Sequence, residues 1–104
     1  MKRAQYRQGD VLLIPVEDVP SGSIQESQAD SRVILAYGEV TGHAHAIDAT
    51  LAKTFQNGDK RYLEVDKGAV LKHEEHSPLL LAPGSYRVVV QREYEPAGWR
   101  RVAD

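Results

Sequence analysis

The sequence predicts a small all-β protein, a β-barrel or a β-sandwich. Three observations carry that expectation. Short runs rich in β-branched and aromatic residues recur along the chain, and turn-forming residues separate them at close intervals. No stretch of helical length keeps an apolar stripe at the 3.6-residue period. With 104 residues the chain has the size of one domain with one hydrophobic core. We expect a single β domain over 1–104, with its core at about 8–95 and a C-terminal tail at 96–104.

The elements follow in order. Residues 10–17, Asp-Val-Leu-Leu-Ile-Pro-Val-Glu, read as a strand closed by the turn formers of 18–22, with Pro15 placing it at an edge or a bulge. Residues 23–31 are polar and read as a loop or short surface turn. Arg32 to Tyr37 reads as a strand ending at Gly38, and Thr41 to Ile47 as a second one. Thr50 to Phe55 and Arg61 to Val65 flank Asn57-Gly58, a strong signal for an antiparallel hairpin. After the turn at 66–68, Ala69 to His73 and Leu79 to Ala82 form another hairpin, joined by Glu74 to Pro78. Ser85 to Tyr94 is the longest strand candidate, with Tyr86, Val88 and Val90 on one face and Arg87, Val89 and Gln91 on the other, and its unequally polar faces are read as a central position. Trp99 is the one evident anchor of the tail.

Composition narrows the function classes. A net charge of −2 provides no basic field for phosphates, so no nucleic acid partner is expected. The absence of cysteine removes disulfides and thiolate ligands, leaving imidazole and oxygen as metal donors. The N-terminal MKRAQYRQGD lacks the apolar run of a signal peptide, and the apolar stretch between Pro78 and Pro83 is far too short to span a bilayer. A cytoplasmic protein without a membrane partner is the expectation.

All four histidines lie in two patches, GEVTGHAHAID at 38–48 and KHEEHSP at 72–78. On a strand, His43 and His45 point to the same face roughly 6.6 Å apart, so two imidazoles can converge on one ion. Gly42, Ala44 and Ala46 leave room around them. His73 and His76 are three apart, which separates them on a straight strand and unites them on a hairpin tip. Ser77-Pro78 and the flanking apolar runs favour the tip. Such a tip can present His73, His76 and one of Glu74 or Glu75 to the His-x-His strand. That donor set suits zinc, iron, manganese or nickel and does not choose among them.

Plainer readings stand beside this one. Any one of these histidines taken alone is more often a solvated side chain than a ligand. A metal-free acid/base pair, with Lys72 beside it, lacks a nucleophile or an anion-cradling loop. Glu74 and Glu75 are each more readily a charged tip that keeps the hairpin soluble. Tyr86 and Tyr94 read as packing aromatics, Arg87 and Arg92 as the solvent face of a strand, and Pro83-Gly84 as an ordinary turn.

The segments RQGDVLLIPV, AYGEVTGHAHAI and HEEHSPLLLAPGSYRVVVQREYEP resemble a recurrent group of small bacterial and phage-associated proteins of uncharacterised activity. The likeness covers residues 7–96. More loosely, Gly38-x4-His43-Ala-His45 resembles the first metal motif of the cupins, which implies a small β-barrel and carries a metal-ligand role onto His43 and His45. Cupins add a glutamate and a later histidine. Here the nearest following acid is Asp48, and residues 83–86 hold no histidine, so His73 or His76 would serve instead.

The sequence therefore leads to a metal-binding β protein with His43, His45, His73 and His76 as ligands of one divalent ion, zinc or iron foremost. An open coordination position would permit hydrolase or dioxygenase-type chemistry on a small-molecule substrate, and a closed one would be structural. The alternative is a non-catalytic module that binds another protein, with the histidines at its surface. A homo-oligomer is compatible with either.

Overall fold

The β-branched runs form strands wherever a neighbour can satisfy their backbone. A computed structural model describes residues 4–28, 31–38 and 42–91. These form β1 (Tyr6–Gln8), β2 (Val11–Val16), β3 (Ile24–Gln25), β4 (Arg32–Tyr37), β5 (Ala44–Asp48), β6 (Ala52–Asn57), β7 (Lys60–Val65), β8 (Ala69–His73), β9 (His76–Leu81) and β10 (Gly84–Val90). Among the described residues there is no helix, and hence none long and apolar enough to cross a membrane. Arg92, Tyr94, Trp99 and the tail at 96–104 lie outside the described residues.

The strands make two antiparallel sheets. One runs β1-β2-β10-β7-β6-β3 and the other β4-β5-β8-β9. Strand ladders do not close them into a barrel, which corrects that half of the sequence reading. One core lies between them. Val11, Leu13, Leu63, Val65, Tyr86 and Val88 come from the larger sheet, while Val33, Leu35, Ile47, Leu71 and Leu81 come from the smaller. Leu13, Leu63 and Leu71 are wholly buried, and truncating one such side chain to alanine costs about 2–5 kcal/mol.

β10 lies between β2 and β7, the central position expected for it. Pro15 sits where β2 has one partner only: it pairs with Tyr86 of β10, while pairing with β1 ends at Leu13. A missing N–H is tolerated at such a position. Two expectations need correction. Residues 23–31 contain a short strand, β3, whose Ile24 and Gln25 pair with Gln56 and Phe55. Two residues carry too little pattern to be read in advance. The hairpin tip between β6 and β7 is Gly58-Asp59, one place beyond Asn57-Gly58, because Asn57 still pairs with Lys60. Asn57 Nδ2 also donates to Ser23 Oγ at 3.1 Å, which holds Asn57 in the ladder.

Side chains, not ladders, bridge the two sheets. At one seam Gln8 of β1 is 3% exposed, and its Nε2 donates to Leu71 O of β8 and Ser77 O of β9, each at 3.0 Å. Nearby, Tyr6 Oη accepts the Ala82 N–H. At the other seam Arg61 of β7 donates from Nη1 to Leu35 O at 2.8 Å and from Nη2 to Ile34 O at 2.9 Å. Successive carbonyls of a regular strand point in opposite directions. The β4 register shifts between Ile34 and Ala36, and this bulge lets one guanidinium reach both.

Glu26 completes that seam, with its carboxylate accepting from Arg61 Nε at 3.0 and 3.2 Å. Burial raises the Glu26 pKa, but the hydrogen bonds from Arg61 and Thr54 and the Arg61 charge outweigh it and bring it below the usual 4.5. A carboxylate lowered by folding stabilises the native state above its unfolded pKa, and that contribution fades as pH falls through the folded value. Urea unfolding at pH 6 and pH 3 should therefore show a smaller loss of stability on acidification in Glu26→Gln than in the parent. Equal losses would remove Glu26 as a source of acid sensitivity.

Gly58 takes φ +62° at the β6–β7 tip. A β-branched side chain is strained there, so Gly58→Val should cost about 1–3 kcal/mol. For a domain of this size each 1 kcal/mol lowers Tm by about 4–8 °C. An unchanged thermal midpoint would contradict the turn geometry.

Candidate functional site

Strand pairing brings the two histidine patches together. β5 pairs with β8 at Ala46 and Lys72, and β8 turns through Glu74-Glu75 into β9 so that His73 lies directly opposite His76. The expected longer connection, Glu74 to Pro78, is only two residues, and His76, Ser77 and Pro78 belong to β9. The β8 register shifts between Leu71 and His73, which sets this pairing. His45 continues the face of β5 that carries Ile47 into the core and is 2% exposed. His43 precedes the strand and is half-buried, so the two are not both strand residues as the sequence suggested. Ring centroids are 4.3 Å apart for His45 and His73, 4.7 Å for His73 and His76, and 5.8 Å for both His45–His76 and His43–His73.

Hydrogen bonds set the tautomers of His45 and His73. Gln8 Nε2 spends its two hydrogens on Leu71 O and Ser77 O, so the amide oxygen must face His45. His45 Nδ1 lies 2.9 Å from that oxygen and therefore carries a proton. In a neutral His45 the lone pair is on Nε2, and Nε2 lies 3.4 Å from Asp10 Oδ1. His73 is set the opposite way. Its Nδ1 accepts the Glu75 N–H at 3.0 Å, which places its ring proton on Nε2.

The hairpin tip is tied down by its acids. Glu74 Oε1 accepts the Ala44 N–H at 3.0 Å. That bond, then the Glu74 amide itself, holds the carboxyl below the usual range against the opposing effect of desolvation, with small help from His43 and His73. Glu75 Oε2 lies 3.1 Å from His43 Nδ1. This nitrogen is buried and makes no hydrogen bond.

Two glycines keep space at the rings. A Cβ on Gly9 would stand 2.7 Å from His76 Nε2 and 3.3 Å from His45 Cε1, and Gly9 also takes φ +57°. A Cβ on Gly38 would stand 2.9 Å from His73 Nε2 and 3.2 Å from His43 Cβ. The cluster thus has two ends. His45 and His76 adjoin Gly9 and Asp10, whereas His43 and His73 adjoin Gly38 and Glu75. Among the described residues no three or more His, Asp or Glu side chains stand with donors already placed to hold an ion.

Gln8, Gly9 and Asp10 were missed as site residues. Arg7-Gln8-Gly9-Asp10 has the composition of an ordinary turn before a strand, and its partner His45 lies 37 residues away. The available signal was a polar residue at the end of a strand-like run, which becomes informative only when found buried.

No curated protein and no solved structure matches the chain. A family model described as a domain of unknown function, DUF8820, matches residues 7–91, a span that holds Gln8, Asp10 and all four histidines. The chain belongs to the DUF8820 family.

Proposed function

We propose that this protein binds one divalent metal ion, zinc or iron foremost, at the histidine cluster. The observation that carries the reading is the gathering of four imidazoles from two hairpins, with centroids 4.3–5.8 Å between neighbours. Two imidazolium rings about 5 Å apart repel by about 3 kcal/mol at an effective dielectric of 20. A set of neutral imidazoles flanked by carboxylates is what a divalent cation stabilises, since ligation requires the unprotonated ring. At Gly9 and Gly38 the absent side chain leaves the rings the space that a Cβ would fill. His43 and His76 are at least partly exposed, so ring rotation at the rim is enough to aim a donor inward.

In this reading His45 of β5 is the buried imidazole donor, and the β8–β9 hairpin supplies a further nitrogen. An ion with an open position would act as a Lewis acid or lower the pKa of a bound water, which suits hydrolase or dioxygenase-type chemistry on a small molecule. A second reading, a protein-interaction module, draws on Tyr37 and Leu80. These are 66% and 78% exposed on β4 and β9, the outer strands of the smaller sheet.

Metal content separates the two. Protein prepared without an affinity tag should carry about one equivalent of zinc or iron, with loss of most of it in His45→Ala and in the double variant His73→Ala/His76→Ala. At free metal one hundred times Kd, binding adds about 2.7 kcal/mol, so a chelator should lower Tm of the parent by about 10–20 °C. Neither double nor single variant should respond to the chelator. A parent protein that holds no metal and melts identically with and without chelator would sink the metal reading.

A further inference from the structure

We propose that the primary ligands of this centre are His45 Nε2, His76 Nε2 and the carboxylate of Asp10, with Gln8 as the positioning residue for His45. The inference rests on the metal reading above and assigns roles within it. Asp10 and Gln8 come from the β1–β2 hairpin, a third segment outside both histidine patches.

The distance between His45 Nε2 and Asp10 Oδ1 is the first argument. At 3.4 Å it is longer than a charge-assisted N–H···O bond, which closes to about 2.7–2.9 Å. It matches the edge of a tetrahedron whose centre lies about 2.0–2.1 Å from each donor, an edge of about 3.3–3.4 Å. The second argument is the tautomer. The Gln8 amide, oriented by two carbonyls, keeps the His45 proton on Nδ1 and presents Nε2 as the donor, the arrangement by which outer partners orient metal-bound imidazoles.

The third argument is the space beside Gly9. His76 Nε2 and His45 Cε1 stand 2.7 and 3.3 Å from the one point that a Cβ there would fill. The rings are nearly parallel at 21°, and among the described residues no hydrogen bond engages a nitrogen of His76. His73 fits a different role. Its Nδ1 accepts the Glu75 N–H, so neither of its nitrogens offers a lone pair to an ion in this setting. His43 stands at the opposite end, 5.8 Å from His73 and against Glu75. These two histidines line the centre without ligating it.

Two imidazoles and one carboxylate leave coordination positions open. Such a set takes Zn(II) or Fe(II), and the vacancy accepts water or an oxygen donor of a small-molecule ligand. The sequence reading had assigned four histidines and weighed Asp48 or the tip glutamates as the acid. Asp48 instead accepts from the Thr50 N–H and hydroxyl at 2.8 and 2.7 Å.

Titration of metal-free protein with Co(II), followed by its visible d–d absorption and by calorimetry, tests the assignment. Asp10→Asn keeps shape and should bind Co(II) at least tenfold more weakly than the parent, with an altered band pattern. His43→Ala and His73→Ala should keep the parental spectrum with affinity within about threefold. Gln8→Glu, which retains an acceptor for His45 Nδ1–H, should bind Co(II) more tightly than Gln8→Met, although both lose the amide donors to Leu71 and Ser77. A parental spectrum and affinity in Asp10→Asn would overturn the ligand set, as would a loss in His43→Ala or His73→Ala equal to that in Asp10→Asn. Equal binding by the two Gln8 variants would overturn the positioning role. A parent that binds no Co(II) would instead overturn the metal reading itself, and this inference with it.

Discussion

The side-chain amide of Gln8 is the interaction on which most of the molecule depends. It is buried, and a buried primary amide must find partners for two hydrogens and an oxygen or forfeit its solvation. Leu71 O, Ser77 O and His45 Nδ1 are those partners. One group thereby joins β1 to β8 and β9 and sets the tautomer of the most buried histidine. The seam between the sheets and the chemistry of the cluster are consequences of the same three hydrogen bonds.

Arg61 does at the other seam what Gln8 does at the first. A guanidinium has five donors in a rigid plane, and here they meet the Glu26 carboxylate and two carbonyls of the β4 bulge. Each seam is closed by polar groups that reach across a gap the backbone does not bridge. Hydrogen bonds of this kind are directional and fix the relative placement of the sheets, while the apolar core between them supplies a driving force that has no direction. The division explains how two short sheets hold one register without a shared ladder.

The histidine cluster lies close to the Gln8 seam. His45 belongs to the core face of β5, and the other three rings extend from it toward the rim. Glu74 ties the β8–β9 tip to the start of β5 through the Ala44 N–H, so this acid positions the hairpin and is not spare charge at a soluble tip. Crowding of this order demands small neighbours, and Gly9 and Gly38 are where a methyl group would strike a ring. The result is a cluster with two unlike ends: an imidazole–carboxylate edge beside Gly9, and a ring pair beside Gly38 in which His73 Nδ1 accepts the Glu75 N–H.

Sequence alone determined the local features. The alternation and turn residues were sufficient for β2, β4, β7 and β10, the central place of β10, and the meeting of His73 and His76 across a tip, because each is decided by neighbours within a few residues. The resemblance of His43 and His45 to a His-x-His pair was legible for the same reason. Tertiary structure decided what depends on distant partners. Whether the strands close into a barrel turns on edges that Gln8 and Arg61 cap, and neither residue is distinctive in its own segment. Asn57 stays in the ladder because Ser23, 34 residues away, receives its amide. Gln8, Gly9 and Asp10 joined the site only when β1 met β8 and β9, since burial turns an ordinary turn sequence into a partner for imidazole and no local pattern encodes that burial.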